Sequence, residues 1–328
     1  MYMDRSNSSI SRPQRSLGYY LAFAICIALL LLLCPMPEMN RMFRYGMDLL
    51  HAPFFAILAL FLDQKRRERK RNSFIQGLRF WVFLCILGVA LEAIQTLAGR
   101  DTNWHDGLSN LLGITAGFLF SYALSATDRI YLKYCGGFAG TLMLLLGSIY
   151  GLYGVWDTVQ AEIEFPLIAN FETHRELLRW EASDAVLIRS KQHATSGHFS
   201  GNITFQEGRY PGVSIELPPG DWSTYRYLTL DIMWAENKNF PQSNREQSAN
   251  FALRIKLEDD GPSDSFQDRF ESTVALQSGP NQIRIPVDVI ANSPAARSLR
   301  LNRMKRLSLF LTNSKLPQVL FVDRIQLE

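Results

Sequence analysis

The feature that most constrains this chain is a succession of apolar runs confined to its first half. Residues 17–34, 46–62, 80–98, 104–125 and 134–156 each approach or exceed the ~20 residues that carry a helix across a bilayer. Lipid offers no partners to backbone N–H and C=O groups, so each run is expected as a helix that satisfies them internally. The run at 17–34 is longer than the apolar part of a secretory leader, and Pro35-Met36-Pro37 is not a small-residue cleavage site. It is therefore read as a retained first helix. Beyond about Trp156 the composition becomes that of an ordinary mixed polar chain. The expected architecture is a cytoplasmic disordered N-terminus at 1–16, a five-helix transmembrane bundle over 17–156, a linker at 157–164 and an all-β domain over 165–328.

Charge sets the orientation of the bundle. The net charge of +3 says little, because the basic excess clusters at 65–71, KRRERKR. Between two apolar runs this is a cytoplasmic topology signal rather than a nucleic-acid patch. Arg5, Arg12, Arg15, Arg79, Arg129 and Lys133 fall on the same side, which leaves only Arg41, Arg44 and Arg100 outside. The N-terminus is then cytoplasmic, and the residues after Trp156 are extracytoplasmic. All four cysteines lie in or beside the apolar runs, so the polar half has no disulfide framework and no zinc-ligand spacing.

Residues 91–113 place Glu92, Gln95, Arg100, His105, Asp106 and Asn110 between two apolar runs. Ionisable groups at a bilayer border are costly unless paired, hydrated or used, so they mark a functional site by default. In the expected orientation, Asp48 and His51 open one helix on the outer side, Glu92 and Gln95 close the next, and Asp106 and Asn110 open a third. The spacings i,i+3 and i,i+4 put each pair on one helix face. The candidate ligand-binding set is therefore Asp48, His51, Glu92, Gln95, Arg100, Asp106 and Asn110. Glu92, Asp106 and His51 are its candidate acid–base groups, with Arg100 suited to an anion through its planar fork. A structural ion-pair network that fixes the helix hairpin is the competing reading. His51 with Asp48, Glu92 and Asp106 also has the donor types of a metal set, although no compact motif accompanies them, and His51 reads more plainly as a hydrogen-bonded helix-start residue. His105 is expected to face water. No GxSxG, P-loop or GxGxxG is present.

From about Pro166 the period changes from helical to two. Runs at 186–189, 200–205, 212–217, 227–233, 251–257, 269–276, 282–287, 306–312 and 318–327 are separated by turn residues such as Pro218-Pro219-Gly220-Asp221. Many short strands at this spacing predict an antiparallel, jelly-roll-like sandwich, with 235–248 as a loop. Trp180, Trp234 and Tyr210 are candidates for a sugar-stacking platform, against the alternative of core packing, which is preferred for Trp222.

Two resemblances follow from these residues. Asp48-Leu49-Leu50-His51, Glu92-Ala93-Ile94-Gln95, Gly99-Arg100, Asp106, Asn110 and Gly113, in that order over about 44–122, resemble the VanZ-like membrane family. Leu49 stands where that family usually carries Lys, which weakens any role of that position in neutralising an anion. Asn170-Phe171-Glu172, Asp221-Trp222-Ser223-Thr224-Tyr225 and Leu320-Phe321-Val322-Asp323-Arg324-Ile325 resemble the galactose-binding-like sandwiches of carbohydrate-binding modules. The first resemblance implies a multi-pass protein of the bacterial inner membrane with a link to glycopeptide tolerance. The second implies carbohydrate binding and a structural calcium held near the two chain ends of the domain, where Glu172 and Asp323 stand. Together they lead to an envelope protein that binds or processes a lipid-linked or glycan component at the outer leaflet, with membrane lipid and glycan as partners and no nucleic acid. Two alternatives stand beside it. One is a membrane enzyme using Glu92, Asp106 and Arg100 for hydrolysis or transfer at a lipid-linked head group, and the other is a structural assembly protein of a polysaccharide or export system.

Overall fold

The computed structural model describes residues 40–69, 73–97, 104–126, 129–234, 251–261, 266–295, 297–314 and 317–328. The expected first helix at 17–34, the loop at 235–248 and Arg100 lie outside the described residues. Among the described residues, four helices are long and apolar enough to cross a membrane. They are α1 (Arg41–Arg69), α2 (Phe74–Leu97), α3 (Trp104–Ser125) and α4 (Ile130–Glu164).

These helices outrun the apolar runs that announce them. α1 continues through the basic residues Lys65–Arg67, which sequence reading assigns to a loop. Arg66 and Arg67 pair with the buried Asp63 one turn back, at 2.7 and 2.6 Å, and Ser121 on α3 donates to the same carboxylate at 2.6 Å. Side-chain pairs at i,i+3 and i,i+4 extend a helix beyond its apolar stretch. Glycines set how closely the helices approach. A Cβ at Gly113 or Gly117 of α3 would collide with the backbone of Ala52 or Ala56 of α1, and one at Gly151 of α4 with that of Leu49. In lipid such small-residue seams let packing replace the hydrophobic effect as the force between helices.

The chain divides by its internal packing between Val155 and Trp156, inside α4. Residues 157–164, expected as a linker, are the last turns of that helix. Their acidic groups have distant basic partners. Asp157, fully buried, accepts from Arg179 Nη2 at 3.0 Å and lies 3.3 Å from Arg175 Nε, and Glu164 pairs with both arginines. Burial opposes the charge on Arg179, yet Asp157 and Glu164 outweigh it and raise the guanidinium pKa further.

The polar half is a β-sandwich. β1 (Leu167–Ala169), β3 (Ala185–Ser190), β4 (Ser200–Phe205), β6 (Tyr227–Trp234), β9 (Gly279–Pro286) and β11 (Gln318–Leu327) form one sheet in the order β3-β4-β11-β6-β9, with β1 on β11. β2 (Trp180–Ser183), β5 (Gly212–Glu216), β7 (Phe251–Asp259), β8 (Phe270–Leu276) and β10 (Met304–Phe310) form the other, in the order β2-β5-β10-β7-β8. All pairings are antiparallel. One apolar cluster draws on both sheets, including Leu230, Ile232 and Val322 from the first and Ile215, Ile255 and Leu309 from the second. The strands at β3 to β11 are those expected from period two. The short β1 and β2 and the six-residue helix α5 (Val287–Asn292) carry too few residues for a period to show. On β11 the alternation resets. The register shifts between Asp323 and Gln326, and Arg324 adopts φ 40°. This extra residue lets Asp323 leave the core side while Ile325 and Leu327 return to it.

Candidate functional site

The polar residues of the helices converge on His51. Its ring is 1% exposed, and Nδ1 lies 3.0 Å from Asn110 Oδ1 on α3. Asn110 Nδ2 donates to Glu92 Oε1 on α2 at 2.5 Å, and His51 Nδ1 is 3.8 Å from that same oxygen. Three helices therefore meet in one chain of hydrogen bonds. The carboxylate fixes the sense of the chain, since a carboxylate accepts and the amide must turn its NH2 toward Glu92. Asn110 Oδ1 is then an acceptor, so His51 Nδ1–H donates, and the neutral ring carries its lone pair on Nε2.

A second grouping shares the same imidazole. One ligand-type atom each from Asp48, His51 and Asp106 lie within 4.8 Å of one another. Asp48 and His51 are one turn apart on α1, and Asp106 is buried in the first turn of α3, where the helix dipole favours an anion. Because α1 begins at Arg41, Asp48 and His51 sit two to three turns inside it rather than at its start. Gln95 is buried on the Glu92 side of α2. Among the calls made from sequence, the structure thus brings Asp48, His51, Glu92, Asp106 and Asn110 into two contacting sets. His105, expected to face water, is half-buried, with its ring stacked on Tyr150 at 4.1 Å. Leu49, at the position where a VanZ-like protein carries Lys, takes part in the close contact with Gly151.

In the sandwich, two of the three stacking candidates are core residues. Trp180 stacks on Phe171 at 5.6 Å and Trp234 on Phe251 at 5.1 Å, and both rings belong to the central cluster. Neither offers a face to a sugar, because another ring already covers it. Tyr210 is 53% exposed, with Phe310 against its edge and Arg209 over its ring. Trp222 is buried in the core, as preferred.

The two carboxylates named as calcium candidates both hold backbone amides. Glu172 Oε1 accepts the backbone N–H groups of His198 and Phe199 at 2.7 and 2.8 Å. Asp323 Oδ2 accepts those of Thr195 and Ser196 at 2.7 and 2.8 Å, and Oδ1 accepts that of Arg324 at 2.8 Å. Both carboxylates thereby fasten the segment between β3 and β4. Among the described residues the one grouping with metal-ligand proximity is Asp48, His51 and Asp106.

The outward face of the first sheet carries a polar patch that sequence reading overlooked. Leu228, Leu230, Ile232 and Trp234 of β6 point to the core, which puts Tyr227, Thr229 and Asp231 on the opposite face. Register places Arg284 beside Thr229 and Gln282 beside Asp231. Arg284 lies over the Tyr227 ring at 4.5 Å, Gln282 reaches Asp231 at 3.4 Å, and Arg324 pairs with Asp231 at 3.1 Å. The alternation of 227–233 against 282–287 holds this signal, but only once the two strands are known to be neighbours.

No family model and no curated protein matches the chain. Solved structures similar to it include a family 11 carbohydrate-binding module from Clostridium thermocellum in complex with a β-1,3-1,4-mixed-linked tetrasaccharide. That likeness has 16% identity and TM-score 0.37, covering 49% of this chain and 93% of the module. An exo-β-agarase shows 15% identity and TM-score 0.37 over 49% of this chain and 24% of its own. A family 30 carbohydrate-binding module of a Clostridium thermocellum cellulosomal cellulase shows 13% identity and TM-score 0.32, over 46% and 86%.

Proposed function

We propose that this chain is a membrane-embedded binding protein of the bacterial envelope, holding the polar head group of a lipid-linked or glycan component at the outer leaflet. The observation that carries the reading is the oriented relay His51–Asn110–Glu92, joined through His51 to Asp48 and Asp106, inside helices apolar enough to span a bilayer. Burying such groups is costly, and an apolar seam like that at Gly113 and Gly117 already suffices to join the helices. That seam supports a role for the relay beyond packing. Orientation supports the outer leaflet, since the basic end of α1 lies about 21 Å along the helix from His51 at 1.5 Å per residue. The polar patch around Tyr227, Arg284, Gln282 and Asp231 supports glycan contact by the sandwich, since it sets an aromatic ring among hydrogen-bonding groups.

The test is thermal unfolding of the full-length protein in lipid nanodiscs with polyprenyl phosphates, lipid-linked cell-wall precursors and teicoplanin. A ligand of the native state at 100 times its Kd stabilises by about 2.7 kcal/mol. We expect one of these classes to raise the midpoint of the wild type and not that of a folded Asn110→Leu variant. No shift with any class, or an equal shift in the variant, overturns the reading.

A further inference from the structure

We infer that Asp48, His51 and Asp106 form a binding site for one divalent first-row transition ion, with Asn110 and Glu92 as the residues that position the imidazole. Two observations carry this independently of each other. The first is proximity, since donor atoms from three side chains on two helices fall within 4.8 Å of one another. The second is the state of the histidine, which the relay fixes from outside the group. Glu92 turns the Asn110 amide, Asn110 Oδ1 takes the Nδ1 proton, and Nε2 is left as the nitrogen with a lone pair. A metal-bound histidine characteristically gives its other ring N–H to such a partner, which sets the tautomer and the ring plane.

The donor set narrows the ion. Calcium and magnesium favour shells built entirely of oxygen, whereas imidazole with carboxylates suits zinc, iron or manganese. Around zinc, ligands at 2.0–2.2 Å in tetrahedral array are about 3.4 Å apart, so the present group is wider by at most about 1.4 Å. Rotation of the carboxylates supplies the closing movement. The backbones need not move: Gly113 and Gly151 already hold α3 and α4 against α1 at Ala52 and Leu49. Three protein ligands leave a coordination position open, as in sites that bind or act on a substrate rather than sites that only brace a fold. Filling that position with a phosphate or carboxylate oxygen of the head group rests on the function proposed above, whereas the metal site itself does not.

The experiment uses tag-free full-length protein in nanodiscs, stripped with chelator and titrated with Zn2+ or Co2+ in the absence of any lipid-linked ligand. We expect one ion per chain by elemental analysis and, for Co2+, visible ligand-field bands of a low-coordinate nitrogen–oxygen site. Asp106→Asn and His51→Ala should lose the stoichiometric ion. Asn110→Leu should bind about 10–100-fold more weakly, and Glu92→Leu, which removes the oxygen that turns the Asn110 amide, should weaken binding as well. His198→Ala, a surface histidine of the sandwich, should change nothing. If His51→Ala does not fold, Asp48→Asn replaces it, with X-ray absorption of the wild-type zinc complex reporting whether a single imidazole is in the shell. Absence of a stoichiometric ion in the wild type, or undiminished binding in Asp106→Asn and Asp48→Asn, overturns the inference. Head-group binding that persists in chelator overturns the role of the ion in that binding and leaves the metal site standing. Metal uptake without binding of any head group overturns the proposed function alone.

Discussion

Both halves of the molecule bury carboxylates, and they do so to different ends. In the sandwich and the end of α4 each buried acid is closed by a cation or by backbone amides. Asp259 takes both Nη atoms of Arg297 at 2.6 Å, Glu176 accepts the N–H groups of Asn170, Phe171 and Thr173, and Asp157 is held by Arg179. In the apolar helices Asp63 is closed in the same way by Arg66, Arg67 and Ser121, whereas Asp48 and Asp106 converge with each other on an imidazole whose orientation Asn110 and Glu92 dictate. The first arrangement fastens chain segments, and breaking it should unfold them. The second collects lone pairs at one point, and altering it should change what binds there more than whether the protein folds.

The comparison breaks most visibly at Arg179. Its side chain is 1% exposed and that of Asp157 fully buried, so Arg179→Met leaves a carboxylate without its closest cation. Removing one partner of a buried pair costs about 3–5 kcal/mol, and denaturant unfolding of the full-length protein should show a loss of that size. Asp106→Asn in the chelator-stripped protein is the counterpart. Asparagine keeps the shape of the side chain and an oxygen that accepts hydrogen bonds, so its midpoint should fall by much less than that of Arg179→Met. A loss as large as that of Arg179→Met would show that the helical group fastens as the sandwich acids do.

Acid should separate the halves next. Burial works to raise the Asp259 pKa, but the Arg297 fork and the amides of Arg300 and Gly261 prevail and lower it. An acid whose pKa is lower when folded contributes stability above its unfolded value, about 3.9, and loses it as pH falls through the lowered one. Unfolding followed from pH 6 to pH 2 should therefore show a decline below about pH 4, with a smaller slope in Asp259→Asn. An unchanged slope would remove Asp259 from the acid sensitivity of the sandwich.

What could be read from the chain beforehand follows the range of each interaction. Apolar runs and period two are local, so strands β3 to β11 were visible within a few residues of their bounds, and helices α1 to α4 were visible with ends up to eight residues short. The order Asp48, His51, Glu92, Asp106, Asn110 was visible as well, because helical spacing fixes faces and alternating crossings fix depth. Long-range pairing was not. Residues 157–164 look like a linker until Arg175 and Arg179 are seen to neutralise them. Trp180 and Trp234 look like a sugar platform until Phe171 and Phe251 cover them. That Glu172 and Asp323 hold the amides of 195–199 shows only once the segment between β3 and β4 is in place. In each case the deciding partner lies at a distance in sequence that no local pattern encodes.

The smallest effect on stability belongs to the outward face of the first sheet, and there it should be the largest on glycan. Arg284 and Glu328 form an exposed pair at 3.2 Å, with about half of the Arg284 side chain in solvent. Such a pair adds little to folding, and surface changes of this kind usually stay within about 0.5 kcal/mol. Tyr227→Ala and Arg284→Ala should therefore leave the unfolding midpoint nearly unchanged. If the patch contacts glycan, both should weaken binding of the full-length protein to envelope glycans, with Tyr227→Ala the more damaging because it removes the ring itself. Tyr210→Ala, at a more exposed ring than the half-buried Tyr227, is the discriminating partner. Loss of glycan binding in Tyr210→Ala with none in Tyr227→Ala would move the contact from the face of the sheet to the approach to β5.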